Sequence, residues 1–144
     1  MMPRDERIVV VGAGPAGTRA VETLLAAGCT KITVINEAPA SGGQIYRRQP
    51  GGFSRSADLI YGDEAPKALH LHRTFDGLSG RIVHRSRTVV WNVFDGAVYT
   101  SGPAGAEVIP YDRLVLCTGA MDRILPVPGW TFRVFSRSAV RRSR

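Results

Sequence analysis

Arg7-Ile8-Val9-Val10-Val11-Gly12-Ala13-Gly14-Pro15-Ala16-Gly17 is the stretch on which the fold turns. Its first five residues are a short run rich in β-branched side chains, the composition of a buried strand, and the run stops abruptly at a cluster of glycines. Helical spacing follows. Ala20, Val21, Leu24 and Leu25 fall on one face, and Gly28 stands where a C-terminal glycine lets the backbone turn left-handed. Lys31 to Asn36 then reads as a second strand, ending at Glu37. A strand, a tight turn, a helix and a second strand within about 30 residues make a βαβ unit, whose two strands should run parallel.

The glycine spacing gives this unit a chemical use. Gly12 permits the tight turn out of the strand, Gly14 lets the backbone come close to a pyrophosphate, and Gly17 lets the helix pack tightly on the sheet. Gly12, Gly14, Pro15, Ala16 and Gly17 are therefore the candidate diphosphate-binding residues, with the amides and positive dipole end of the helix as the attracting groups. Glu37, twenty residues past Gly17, sits where a carboxylate accepts hydrogen bonds from ribose hydroxyls. It would repel a 2′-phosphate, so FAD or NAD is favoured over NADP.

Residues 38–61 are turn-rich, with Gly42-Gly43 and Pro50-Gly51-Gly52, and read as loop apart from a helical turn near Ser56–Tyr61. Ala68, Leu71, Phe75 and Leu78 recur at helical steps, with Asp63 as the expected N-cap and Pro66 in the first turn. Arg81–His84 is expected to be a third parallel strand. Thr88–Val93 and Ala97–Ser101 are strand-like runs joined through Phe94-Asp95-Gly96, a hairpin signal, and Glu107–Ile109 is expected to add a third antiparallel strand. Arg113–Thr118 is apolar enough for a central strand covered on both faces, and Gly119-Ala120 follows it.

Two parts of this sequence resemble the glutathione-reductase-like flavoproteins, the two-dinucleotide-binding oxidoreductases. Ile8 to Gly17 is similar to their FAD fingerprint, and Leu114-Val115-Leu116-Cys117-Thr118-Gly119-Ala120 to their second motif, an apolar strand ending in Thr-Gly. Gly42-Gly43-Gln44-Ile45-Tyr46-Arg47-Arg48 and Asp122-Arg123-Ile124-Leu125-Pro126-Val127-Pro128-Gly129-Trp130 narrow the resemblance to the FAD subunits of bacterial opine oxidase, hydroxyproline dehydrogenase, hydrogen cyanide synthase and sarcosine oxidase enzymes. The resemblance implies an α/β, Rossmann-like FAD-binding domain, a central parallel sheet with helices plus a small antiparallel meander, incomplete at its C-terminus. It implies a flavin that takes a hydride from an amino-acid or secondary-amine substrate, or passes electrons between partner subunits. Carried over by position, Gly12, Gly14 and Gly17 face the pyrophosphate and Glu37 the ribose, while Gly43 and Gln44 approach the ribityl or flavin side. Thr88 and Val89 border the adenine through backbone groups, and Thr118 and Gly119 approach the pyrophosphate. The NAD(P)-binding unit of full-length relatives has no counterpart in this sequence.

Other residues carry weaker signals. Arg47 and Arg48 read either as ligands of a cofactor phosphate or acidic substrate, or as a solvated pair. His70 and His72, two apart on a helix, point to different faces and make a poor metal pair, so no metal site is expected. No residue is assigned a catalytic role. Cys29 and Cys117 lie 88 positions apart, which excludes a Cys-x-x-Cys redox motif and zinc spacing and reads as two buried thiols.

The net charge of +7 invites a nucleic-acid reading. Yet Arg133, Arg137, Arg141, Arg142 and Arg144 carry five of those charges within the last twelve residues, and no basic patch interleaved with aromatics accompanies them. Residues 1–132 are expected to form the partial FAD domain and 133–144 a basic, disordered tail. The resemblance breaks at Thr131-Phe132-Arg133-Val134, where relatives continue Thr-Leu-Pro-Gly-Val; loss of one base converts the second reading into the first, so a frameshift is expected near Thr131. No run reaches the ~20 apolar residues of a membrane span and no signal peptide is evident, which points to the cytoplasm. Two alternatives stay open: a nucleotide-binding module that holds FAD or NAD without turnover, and a nucleic-acid binder acting through its basic tail.

Overall fold

β1, Arg7–Val11, is the strand around which the molecule is built: Ile8, Val9 and Val10 are all buried, as a strand covered on both faces requires. The computed structural model describes residues 5–120, and the readings that fall on residues 121–144, the tail and the frame change among them, lie outside these. From β1 the chain passes through α1 (Pro15–Ala26) to β2 (Lys31–Asn36). α1 closes as its sequence predicts, with the Gly28 N–H donating to the Leu25 carbonyl and the Cys29 N–H to the Leu24 carbonyl. A loop then leads to the short α2 (Ala57–Tyr61), to α3 (Ala65–Leu78) and to β3 (Val83–Ser86). β4 (Val89–Phe94), β5 (Ala97–Gly102) and β6 (Gly105–Pro110) form an antiparallel meander, and β7 (Arg113–Leu116) returns to the first sheet.

The main sheet has the order β3-β2-β1-β7, every pair parallel. α1 and α3 cover one face: Val21 and Leu25 from the first and Phe75 and Leu78 from the second pack on Ile8, Val10, Ile32 and Val34. The meander covers the other, where Val98, Val90, Ile109 and Tyr111 meet Val9, Ile35 and Leu114. The result is a three-layer α/β/β unit of the Rossmann type. The hairpin turn forms at Asp95 (φ 48°) and Gly96 (φ 70°), two left-handed residues in succession as its Asp-Gly sequence predicts.

Three expectations are corrected. Asp63 does not cap α3: it lies in a 3₁₀ turn, Gly62–Glu64, that runs directly into the helix, so Glu64 holds the cap position in helical conformation and no side chain caps it. The third parallel strand is displaced to Val83–Ser86, because Ser79–Arg81 continues α3 as another 3₁₀ turn. β7 ends at Leu116 and stands at the edge of the sheet among the described residues, with Leu116 64% exposed; its apolar composition suits a covered strand, but no described element lies on its outer side.

Candidate functional site

The carboxyl ends of all four parallel strands lie along one edge of the sheet, since Val11 stands opposite both Ile35 and Leu116, and Ile35 opposite Arg85. The strand order reverses at β1, whose neighbours are β2 on one side and β7 on the other. Ligands of open α/β sheets bind in the crevice at such a switch point. The Gly12–Gly17 turn occupies it.

That turn has no room for a Cβ at Gly12 or at Gly17. Gly12 has φ 105°, its N–H donates to the Ile35 carbonyl at 2.8 Å, and a Cβ on it would lie 2.2 Å from the Cys117 carbonyl oxygen. A Cβ at Gly17 would lie 1.9 Å from the carbonyl oxygen of Gly12. Gly14 is the N-cap of α1 in extended conformation, Pro15 opens the helix, and no side chain caps it and no acidic residue lies in its first turn. The helix therefore presents its amide end and positive dipole unneutralised at the crevice. The adjoining Ala16 is exposed and Pro15 half-buried.

The other sequence-predicted residues gather at the same edge. Glu37 is exposed immediately after β2, and Thr118 and Gly119 are exposed just beyond β7, whose continuation is held by the Cys117 N–H donating to Val11 at 2.8 Å. Thr88 follows β3 and is buried; its hydroxyl donates to the Ser86 carbonyl at 3.0 Å and its N–H to the Asn36 carbonyl at 3.0 Å. The Thr88 N–H is thus already engaged, which leaves any adenine contact to other backbone groups of Thr88 and the exposed Val89. Gly43 stands against Gly14, while Gln44 is exposed and accepts from Arg47 at 3.0 Å.

Several residues hold this edge together in roles that no pattern in the sequence announces. Asn36 accepts from the Ala13 N–H through Oδ1 at 3.4 Å and donates through Nδ2 to the carbonyls of Ala38 and Ala40. Arg48 is not a solvated loop residue: it meets both carboxylate oxygens of Asp76, Ser41 Oγ and the His72 carbonyl. The pairing spans 28 residues, so no local pattern announces it. His72 is buried and its Nε2–H donates to the Tyr46 carbonyl at 2.8 Å, whereas His70 is exposed, as their spacing predicts. His84 packs edge-on against Phe75, and burial holds its pKa below the ordinary histidine value. Cys29 and Cys117 are both free thiols, and burial raises the pKa of Cys117.

The sequence profile of the family described as pyridine nucleotide-disulphide oxidoreductase matches residues 6–142. The chain belongs to that family. The match contains the whole glycine turn and runs beyond Thr131. An opine oxidase subunit from Rhizobium meliloti is 33% identical over 135 residues, which covers 88% of this chain and 25% of that protein. Hydrogen cyanide synthase subunit HcnB of Pseudomonas protegens is 34% identical over 127 residues, covering 85% and 26%. The chain thus spans about a quarter of the length of these curated relatives. Among solved structures, L-proline dehydrogenase from P. horikoshii superposes with a TM-score of 0.58 at 21% identity, over 83% of this chain and 24% of that one. A steroid monooxygenase bound to NADP superposes at 0.56 with 25% identity, over 85% and 28%. The resemblance read from the two motifs, and the narrower one read from residues 42–48 and 122–130, both agree with these relatives. The family's name speaks of a disulphide, but the two cysteines of this pyridine nucleotide-disulphide oxidoreductase chain form none.

FAD is the cofactor this family implies, and the turn fits a dinucleotide: Gly12 and Gly17 let it close on the backbone of Cys117 and on itself, where a Cβ would collide, and the helix behind it starts at Gly14 with no side-chain cap.

Proposed function

We propose that the chain is the FAD-holding part of an oxidoreductase subunit that acts on an amino acid or secondary amine. The observation that carries this reading is the bare glycine turn at the switch point, in front of the uncapped start of α1 and beside Glu37. Gly12, Gly14, Pro15, Ala16 and Gly17 would hold the diphosphate, Glu37 the adenosine ribose, Gly43 and Gln44 the ribityl or flavin side, and Thr118 and Gly119 the diphosphate from across the crevice. Thr88 and Val89 would border the adenine. Bound flavin supplies the hydride chemistry, and the protein binds and orients it. The relatives named as subunits support a partner-dependent assembly. The amine class rests on those names, and on this reading the pyridine-nucleotide site lies outside these residues. Among the described residues no helix is long and apolar enough to cross a membrane, and a cytoplasmic location belongs to the same reading. The frame change proposed near Thr131 is tested by reading the DNA in its other two frames for a glycine-rich α/β continuation.

Competition tests the ribose assignment and separates FAD or NAD from NADP. With FAD bound, ADP should displace it and 2′,5′-ADP should compete at least ~10-fold more weakly, because Glu37 repels the added phosphate; equal competition would remove Glu37 from the site. Anaerobic bleaching of bound flavin by amino acids, alone or with partner subunits, distinguishes an enzyme from a module that holds the nucleotide without turnover.

A further inference from the structure

The loop after β2 is tied to the rest of the molecule at two ends. Near its start the Gly42 N–H donates to the Ala13 carbonyl at 2.9 Å while Asn36 Oδ1 accepts from the Ala13 N–H, so Ala13 of the glycine turn is held through both of its backbone groups. At its far end Arg48 reaches back to Ser41 Oγ at 2.9 Å and across to α3, at the His72 carbonyl (3.1 Å) and Asp76 (2.8 and 3.0 Å). His72, from the same helix, holds the Tyr46 carbonyl. Between these ties lies Gly43, so near the turn that a Cβ on it would come 3.0 Å from the Gly14 Cα.

We propose that Arg48 is a positioning residue for the cofactor: by clasping residues 41–48 to α3 it keeps Gly43 and Gln44 as a fixed wall of the cradle opposite Gly14. This rests on the FAD reading above. The Asp76 carboxylate is mostly exposed, so the ion pair alone is weak. The clasp owes its hold to the geometry of the guanidinium, whose fork meets a carboxylate, a hydroxyl and a backbone carbonyl at once. A lysine cannot reproduce that set. Without the clasp the free chain samples loop positions that do not accept the ligand, and apparent affinity falls in proportion to the competent fraction.

The test compares the full chain with its Arg48→Met, Arg48→Lys and Val98→Ala variants. The last removes part of a fully buried valine on the meander side of the sheet and so lowers stability without touching the loop. Three quantities are read: thermal midpoint, FAD dissociation constant from flavin fluorescence, and amide hydrogen exchange over residues 41–48 in the free protein. Arg48→Met should speed exchange in that segment and weaken FAD binding by about tenfold, with Arg48→Lys only partly restoring either. Val98→Ala should lower the midpoint and leave affinity and loop exchange as in the unaltered chain. If the unaltered chain binds FAD and Arg48→Met binds equally well, or exchange over 41–48 is unchanged, the positioning role is overturned while the FAD reading stands. If Val98→Ala loses affinity to the same degree, Arg48 acts through stability alone and the proposal fails. An unaltered chain that is folded and takes up no FAD overturns both readings.

Discussion

Gly17 shows how much one hydrogen atom in place of a methyl group decides here. A Cβ at that position would sit 1.9 Å from the Gly12 carbonyl oxygen, a backbone atom that can move only if the turn itself opens. Gly17→Ala should cost about 1–3 kcal/mol in urea unfolding, the range for overpacking a tight site, and should weaken FAD binding beyond what that instability explains, because the displaced backbone is the diphosphate cradle. A variant with native stability and native affinity would show that α1 does not need this contact. The glycines were legible in the sequence because their spacing records a backbone requirement directly. The roles of Asn36, Arg48 and His72 were not: Asn36 and His72 bond to peptide groups, which leave no residue-type pattern, and Arg48 reaches an Asp76 that lies 28 residues away.

At the scale of elements, β7 is stapled to β1 at its entry. Asp112 accepts from the Arg7 N–H and guanidinium and its own N–H donates to the Arg7 carbonyl, while Arg113 pairs with Glu6 alongside. The hydrogen bonds from the Arg7 side chain and backbone hold the Asp112 carboxyl down at about 2. A carboxyl depressed in the folded state stabilises the fold above its unfolded value and loses that contribution as pH falls toward the folded one. Stability should therefore decline between about pH 4 and pH 2, and Asp112→Asn should flatten that part of the profile measured by urea midpoints; an unchanged acid profile would mean the staple is not formed in solution. The hairpin and the βαβ unit were readable because local rules, Asp-Gly and the switch of period, specify them. The edge position of β7 and the loss of the Asp63 cap were not, since the first depends on what lies beside the strand and the second on a 3₁₀ turn that extends the helix backwards.

For the molecule as a whole, the three layers serve to hold one sheet edge still. Helices on one face and the meander on the other bury both sides of β1 and β2, and the parallel register then delivers Gly12, Glu37, Thr88 and Thr118 to a common end. On the proposed function, this end holds FAD through the glycine turn. The most direct test is to titrate the purified chain with FAD, following flavin fluorescence, beside a Gly14→Trp variant shown by circular dichroism to be folded. Saturable binding by the first and none by the second is the expected result. A folded, unaltered chain that leaves flavin fluorescence unchanged, or a Gly14→Trp variant that binds as well, would contradict it.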